Sequence, residues 1–162
     1  MPLTTNVTIH HLTRDDDEMM RALSATLGDA FDEVETYSGK QPSPAYLQQL
    51  LASAYFIALA AVKNGEVVGG IVAYELKKFE QERSEVYIYD LAVASAYRRE
   101  GIATALIEKL KRISERRGAY VIFVQADTGI EDQPAIALYT KLGIRENVLH
   151  FDIPVEGAGG AA

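Results

Sequence analysis

One carboxylate stands inside an apolar run of strand length. Residues Val86–Val93 read Val-Tyr-Ile-Tyr-Asp-Leu-Ala-Val, and their β-branched and aromatic side chains predict a β-strand around Asp90. A buried carboxylate is costly unless it meets a cation. An alkylammonium, with a pKa on the order of 10, must lose a proton before it can attack an acyl group. If the cation is a substrate ammonium, Asp90 is the candidate general base that would remove its proton, with Glu85 as second candidate. The alternative is that Asp90 pairs with a lysine or caps the next turn.

A short basic turn follows this strand. It contains Arg98, Arg99 and the single glycine Gly101. The helix after it is predicted by apolar residues on one face, Ile102, Leu106, Leu110 and Ile113. The N-terminus of a helix presents N–H groups and positive dipole charge, and glycine lets the backbone approach an anion closely. The turn is therefore a predicted pyrophosphate site, although it lacks the glycines of a dinucleotide fingerprint and the Gly-Lys-Ser/Thr of a Walker A loop.

Composition bounds the remaining possibilities. The 162 residues are 48 % apolar, which suits one core, and we predict a single domain over residues 1–155 and a flexible tail over 156–162. The net charge of −7, from 23 acidic and 16 basic residues, argues against nucleic acid and is compatible with a cationic ligand. Cysteine is absent and the three histidines lack ligand spacing, so no metal is expected.

The chain shows neither an apolar run that could span a membrane nor a signal peptide at residues 1–5. We therefore expect a cytoplasmic protein with no membrane partner.

Several elements must position the strand and the turn. Asn64-Gly65 between two apolar runs predicts a β-hairpin. Helices are predicted before the hairpin, after the turn and from Pro134. The nearly continuous apolar run at 120–125 predicts a strand covered on both faces, and 147–153 predicts a last strand. The fold class is α+β, with a mixed sheet between helices.

The turn resembles the Gln/Arg-x-x-Gly-x-Gly/Ala motif of the GNAT superfamily of N-acetyltransferases, through Arg98, Gly101 and Ala103. The order of elements also matches that fold. The resemblance implies a mostly antiparallel central sheet that splays between its fourth and fifth strands, with the pantetheine arm of the co-substrate acetyl-CoA in the gap. The implied cofactor-binding residues are Leu91, Ala92, Val93, Arg98, Arg99, Glu100, Gly101, Ile102, Ala103 and Thr104.

Longer segments are similar to the type I aminoglycoside 3-N-acetyltransferases, the gentamicin acetyltransferases. They include Ser84–Val93, Arg99–Ile107, Ala137–Glu146 and His150–Ile153, and run from residue 56 to 153. This resemblance implies antibiotic resistance through direct transfer of an acetyl group, in a ternary complex, to the 3-amino group of the deoxystreptamine ring. Together with exposed strand edges it also suggests a homodimer.

The resemblance assigns further roles. It places Tyr139 beside the thioester sulfur as general acid, and a backbone N–H near Leu91 or Ala92 would polarise the carbonyl. A cationic aminoglycoside would be held by carboxylates, of which Asp127 and Asp152 rank first. Tyr37 is a further candidate contact. The rest of the acidic pool is Glu80, Glu131, Asp132, Glu33 and Glu35.

Two other functions stay open at this point. One is a GNAT enzyme that acetylates another amine, such as a polyamine or a protein N-terminus. The other is a non-catalytic acetyl-CoA-binding module, in which Asp90 and Tyr139 would have no chemical task.

Overall fold

The computed structural model describes residues 6–157, which form two compact units, one up to Gln125 and one from Ala126. In the first unit the elements are β1 Val7–His11, α1 Asp17–Ala30, α2 Val34–Ser38, α3 Pro44–Ala52, β2 Phe56–Lys63, β3 Glu66–Lys77, β4 Ser84–Val93, α4 Ile102–Arg116 and β5 Ala119–Val124. In the second unit, a short 3₁₀ turn precedes α5 Gln133–Leu142.

The five strands form one sheet in the order β1-β2-β3-β4-β5. The first three pairings are antiparallel and β4 pairs with β5 in parallel, which confirms the predicted mixed sheet. Over residues 6–157, no helix is both long and apolar enough to cross a bilayer.

The predicted hairpin joins β2 to β3. Lys63 pairs with Glu66 across a two-residue loop, in which Asn64 has φ 53° and Gly65 has φ 79°. Two consecutive positive φ values are those of a type I′ turn, whose twist matches that of paired strands. The Asn-Gly pair therefore fixes the pairs next to the turn, Lys63 with Glu66 and Val62 with Val67, before the register shifts at Ala61.

Helices cover both faces of the sheet. Phe56, Ala58 and Ala60 of β2 join a buried cluster with side chains of α1 and α3. The alternate residues of β2, such as Ile57 and Leu59, point to the other face and are also fully buried. There they face α4, whose buried side chains include the predicted set Ile102, Leu106, Leu110 and Ile113.

The sheet opens between β4 and β5. Their pairing runs from Ser84 to Ile88 of β4, whereas the pairing with β3 continues to Val93. In the described part of the chain, Tyr89–Val93 thus pairs on one side alone. The predicted splay between the fourth and fifth strands is confirmed.

Two expectations for the strands are wrong. Residues 147–153 form no strand, and Val148, Leu149, Phe151 and Ile153 are exposed. Alternating apolar residues favour a strand only where a neighbour pairs with their backbone groups. The run at 120–125 forms most of the edge strand β5, as predicted. The strand is not covered on both faces, however, because Tyr120 and Val121 are exposed.

Three predictions from the sequence, the absence of a signal peptide, the flexible tail and the single domain, are not tested by the described residues. Residues 1–5, read for a signal peptide, and 158–162, most of the expected flexible tail, are outside the described residues. The assignment of residues 1–155 to one domain stays a prediction.

Candidate active site

A β-bulge interrupts β4 at the aspartate. Val72 of β3 pairs with Asp90, but the next residue, Ala73, pairs with Ile88. Tyr89 is thus the extra residue, and two residues of β4 stand opposite one of β3. A bulge of this kind bends its strand and redirects the side chains beside it.

The bulge places both candidate bases on one face of the sheet. Tyr87 stands opposite Tyr74, and Glu85 lies two residues before Tyr87. Since Val72 shares a face with Tyr74, its partner Asp90 lies on that face too. In a regular strand Asp90 would point away from Glu85. Whether Asp90 and Glu85 share a face therefore depends on the register of β3 against β4, which cannot be determined from the sequence of β4 alone.

Asp90 is half-buried and its carboxylate has a specific partner. The Tyr37 hydroxyl donates a hydrogen bond of 2.7 Å to Asp90 Oδ2. Burial raises the pKa of Asp90 above its ordinary value, the Tyr37 bond lowers it in part, and the nearby Glu33 charge raises it again. A carboxylate with a raised pKa is a stronger base once it has lost its proton.

Tyr37 is held in its protonated form. Burial, followed by the hydrogen bond to Asp90, raises the pKa of this phenol. The hydroxyl therefore stays a donor at neutral pH. The sequence predicts Tyr37 as a substrate contact, and this stays a prediction. The structure shows in addition that the Tyr37 hydroxyl is bonded to the candidate base.

Glu85 has different surroundings. Its carboxylate accepts a hydrogen bond of 2.6 Å from the Tyr120 hydroxyl and one of 3.3 Å from Lys78 Nζ. The Tyr120 bond lowers the pKa of Glu85, the largest of several effects, and the Lys78 ammonium lowers it further. This arrangement stabilises the carboxylate charge and makes Glu85 a weaker base than Asp90.

A row of aromatic rings adjoins Asp90. The Tyr74 and Tyr89 centroids are 6.0 Å apart and those of Tyr89 and Tyr87 6.1 Å, while Tyr87 stacks on Phe123 at 4.8 Å. Tyr89 is 61 % exposed, so its ring and hydroxyl are accessible from solvent, while the other rings of the row are partly buried. The alternating tyrosines before Asp90 are the signal from which the sequence could have predicted the row.

The basic turn has the backbone expected of an anion site. Gly101 caps α4 with φ 82°, and Arg99 also has a positive φ, 65°. Gly101 has no side chain with which to cap α4, and the backbone N–H groups of the first helical turn point toward the N-terminal end of the helix. Arg98 Nε donates 3.1 Å to the Val93 carbonyl, which ties the end of β4 to the turn.

The remaining predicted cofactor residues flank this turn. Glu100 forms a 2.8 Å ion pair with Lys63, which anchors the turn to the end of β2. The first turn of α4 contains Ile102, Ala103 and Thr104. Leu91, Ala92 and Val93 form the part of β4 that pairs with β3 and not with β5. The structure therefore brings the whole predicted cofactor set to the open edge of β4 and the start of α4.

The predicted acceptor residues lie in both units. Glu80 pairs with Lys78 at 3.0 Å, in the connection between β3 and β4. Tyr37, Glu33 and Glu35 also belong to the first unit, whereas Asp127, Glu131, Asp132 and Asp152 belong to the second. In the second unit, the Asp127 N–H donates a hydrogen bond of 2.8 Å to the Asp132 carboxylate. The Asp152 carboxylate contacts the His150 ring at 2.8 Å. The predicted general acid Tyr139 lies partly buried in α5. Across residues 6–157 no group of three or more candidate side chains is arranged to hold a metal ion.

Known proteins have similar sequences and folds. An aminoglycoside acetyltransferase, HMB0005, from an uncultured soil metagenomic sample is 66 % identical, over 94 % of this chain and 100 % of its own, with a TM-score of 0.93. A second one from such a sample, meta-AAC0020 in complex with sisomicin, is 28 % identical over 93 % of this chain and 97 % of its own, with a TM-score of 0.83.

A curated relative, an N-alpha-acetyltransferase of Sulfurisphaera tokodaii, is 33 % identical over 101 residues, which make up 58 % of each chain. The matches to the first curated relatives thus span 58 % of their length or less. The sequence model of the Acetyltransferase (GNAT) family matches residues 19–144. Because this match covers most of the chain, including the bulged strand and the basic turn, the protein belongs to the GNAT family of acetyltransferases.

Proposed function

We propose that this protein is an aminoglycoside 3-N-acetyltransferase, which transfers the acetyl group of acetyl-CoA to the 3-amino group of a deoxystreptamine ring. The observation that carries the proposal is the 66 % identity to an aminoglycoside acetyltransferase over nearly the whole chain. The half-buried Asp90 beside a row of tyrosines supports an amine-bearing, ring-shaped acceptor.

The residues of the first unit fit acetyl-CoA as co-substrate. The first turn of α4 offers backbone N–H groups to a diphosphate, and Gly101 leaves room for close approach. The open edge of Leu91–Val93 offers backbone groups to the amides of a pantetheine arm, as a neighbouring strand would. Bound there, acetyl-CoA supplies an acetyl group on a good leaving group, a thiolate.

Asp90 prepares the acceptor amine. The substrate arrives as an ammonium, which pairs with the buried carboxylate, and Asp90 then takes its proton directly or through a water molecule. The free nitrogen lone pair forms a bond to the acetyl carbon while the carbon–sulfur bond breaks. A backbone N–H near Leu91 or Ala92 stabilises the charge on the carbonyl oxygen.

Tyr139 of α5 is the proposed general acid. Its phenol would donate a proton to the departing thiolate. The second proton of the acetylated nitrogen would return to the phenolate through solvent, and Asp90 would release the first proton to solvent. Replacement of Tyr139 by Phe tests this role, since the loss should be greatest at high pH, where solvent supplies few protons.

Carboxylates hold the other ammonium groups of the acceptor in this proposal. Asp127 and Asp152 are the first candidates, with Glu80 as a third. An aminoglycoside carries several positive charges, so the net charge of −7 of the chain favours its approach. A homodimer and a cytoplasmic location stay predictions.

The decisive experiment is a thiol-release assay with acetyl-CoA and three acceptors in parallel, gentamicin, kanamycin and spermidine. We expect turnover with gentamicin, and product NMR should place the acetyl group on N3. Acetylation at another amine would overturn the regiochemistry, and turnover with spermidine alone would overturn the substrate class. Thiol release with none of the three would oppose both.

A second candidate is acetylation of a protein N-terminus. The identity to the archaeal N-alpha-acetyltransferase favours it, although that match covers just over half of either chain. A peptide acceptor with a free α-amino group, added to the same assay, distinguishes the two functions.

A further inference from the structure

We propose that Gly28 and Tyr37, at the corner between α1 and α2, are positioning residues that aim the Asp90 carboxylate at the acceptor amine. This inference rests on the proposed role of Asp90 as base. It assigns to the two residues a task that acts through Asp90 rather than through contact with substrate.

The first observation is the contact itself. The Tyr37 hydroxyl donates 2.7 Å to Oδ2 of Asp90, across 53 residues of sequence. A carboxylate on a single-bond stem can rotate, and a donor on one oxygen fixes its rotamer. The other oxygen, Oδ1, then keeps a defined direction in which to receive an ammonium proton.

The second observation explains a glycine in a helix. Gly28 lies in the last turn of α1 and is buried, although glycine destabilises a helix relative to alanine. A Cβ at this position would stand 2.7 Å from Cβ of Tyr37. The root of the tyrosine therefore occupies the space that any larger residue at 28 would need, and a methyl group there would displace the ring.

The third observation is that α2 is fastened to α1 at both ends. Before α2, the Glu33 N–H donates 2.7 Å to the Gly28 carbonyl. After it, Arg21 of α1 donates 2.8 Å to Gln41 Oε1 and 3.0 Å to the Pro42 carbonyl. A hydroxyl held within a few tenths of an ångström needs such a support, because a loose donor would not fix its acceptor.

The charges and hydroxyls near Asp90 determine the direction in which the loss of Tyr37 would change its pKa. The groups that face Asp90 are Tyr37 of α2, Glu33 before it, Tyr74 of β3 and Tyr87 of β4. Burial raises the pKa of Asp90, and so does Glu33, whereas the hydrogen bond from Tyr37 lowers it. The tyrosine thus keeps a larger share of Asp90 in the basic form as pH falls.

The first test is the pH profile of Tyr37→Phe with acetyl-CoA and gentamicin. Phe keeps the ring but removes the donor, so the acid limb of kcat/KM should move to higher pH. At the low-pH end we expect a loss of about tenfold, as for a hydrogen bond to a charged group. Tyr46→Phe removes an exposed hydroxyl from α3 and should leave the profile in place. An unmoved limb, with a loss confined to KM for gentamicin, would make Tyr37 a substrate contact and overturn the inference.

The second test is a double-mutant cycle. Gly28→Ala should move the acid limb in the same direction as Tyr37→Phe, because it displaces the same hydroxyl. Added to Tyr37→Phe, it should move the limb little further. Fully additive shifts would mean that Gly28 acts by another route, which would overturn its assignment.

The third test needs no turnover. Titration of ¹³Cγ-labelled aspartate, with the Asp90 signal assigned from Asp90→Asn, measures the pKa of Asp90 in the free protein. A higher pKa in Tyr37→Phe and in Gly28→Ala than in the wild type supports the inference even if gentamicin is not the acceptor. An unchanged pKa overturns it even if the wild-type enzyme acetylates gentamicin. The two proposals can therefore fail separately.

Discussion

The two halves of β4 differ in how they are paired, and each carries one acidic residue of the site. The first half, from Ser84 to Ile88, has β3 on one side and β5 on the other. The second half, Tyr89–Val93, begins with a bulge and pairs with β3 alone. Glu85 belongs to the first half and Asp90 to the second.

The same face of one strand thus holds two carboxylates with opposite pKa shifts. Glu85 accepts hydrogen bonds from Tyr120 and Lys78, which lower its pKa. Asp90 is partly desolvated, and one hydroxyl does not offset the effect of burial, so its pKa is raised. Where titratable groups in a site have pKa values pushed apart, the raised carboxylate is the candidate for proton transfer. The comparison favours Asp90, in the open half Tyr89–Val93, as the proposed base, over Glu85 in the closed half Ser84–Ile88.

The largest effect is expected where the open half loses its charge. Asp90→Asn should lower kcat by about 10²- to 10⁴-fold, the usual contribution of a general base. The affinity for CoA should stay close to that of the wild type, because the proposed diphosphate site does not involve this side chain. Steady-state kinetics and calorimetric titration with CoA measure the two quantities.

Glu85→Gln is the matched control in the closed half. We expect a loss in kcat of less than about tenfold, since this carboxylate is held as an anion by its neighbours. If Glu85→Gln were as severe as Asp90→Asn, the assignment of the base from burial would be wrong.

The second largest effect is expected on CoA binding, at the basic turn that follows the open half of β4. At Gly101, φ is 82°, where a Cβ costs about 1–2 kcal/mol. Gly101→Ala should therefore weaken CoA binding by about tenfold, because the first turn of α4 must shift away from its anion-binding geometry.

Gly65→Ala provides a control for backbone strain. Gly65 has a similar φ of 79°, but it lies in the β2–β3 hairpin, where a Cβ would meet no other atom within 4 Å. Both variants should unfold at lower temperature, whereas Gly101→Ala alone should lose CoA affinity. Equal affinities in the two variants would contradict a diphosphate site at the turn.

A smaller effect is expected from the charge next to Asp90. Glu33 raises the pKa of Asp90, so Glu33→Gln should move the acid limb of kcat to lower pH, opposite to Tyr37→Phe. At saturating acceptor the gain at low pH should be about two- to threefold, as expected for a screened charge. Glu35→Gln removes the adjacent acid of α2 as a control. A shift of the same size in both variants would mean that net charge, rather than Glu33, sets the limb.

Local patterns predicted much of the fold. The apolar face of α4, the Asn-Gly hairpin and the turn at Gly101 are each encoded within a few consecutive residues, and the structure confirms them. Asp90 was recognised because a charge within an apolar run is conspicuous.

What the sequence did not predict depends on distant partners. The bulge at Tyr89 arises from the register of β3 against β4. The bond from Tyr37 to Asp90 spans 53 positions, and α2 has too few residues for a helical pattern to be visible. The expected strand at 147–153 had the right alternation but lacks a neighbour in the described chain. Contacts between remote segments decided each of these cases.

The smallest effect is expected in the closed half of β4. Tyr120→Phe keeps the ring under the Arg83 guanidinium but removes the hydrogen bond to Glu85, so the pKa of Glu85 should rise toward its ordinary value. A carboxylate whose folded pKa is lowered stabilises the fold above its unfolded pKa, and this stabilisation is lost as pH falls through the folded value. The variant should therefore melt slightly below the wild type at pH 7 and at the same temperature near pH ~2.

The control is Tyr55→Phe, which removes the hydroxyl of another exposed tyrosine and should show no such convergence of melting temperatures. A constant difference in melting temperature at both pH values would assign the Tyr120 hydroxyl to packing rather than to the Glu85 charge.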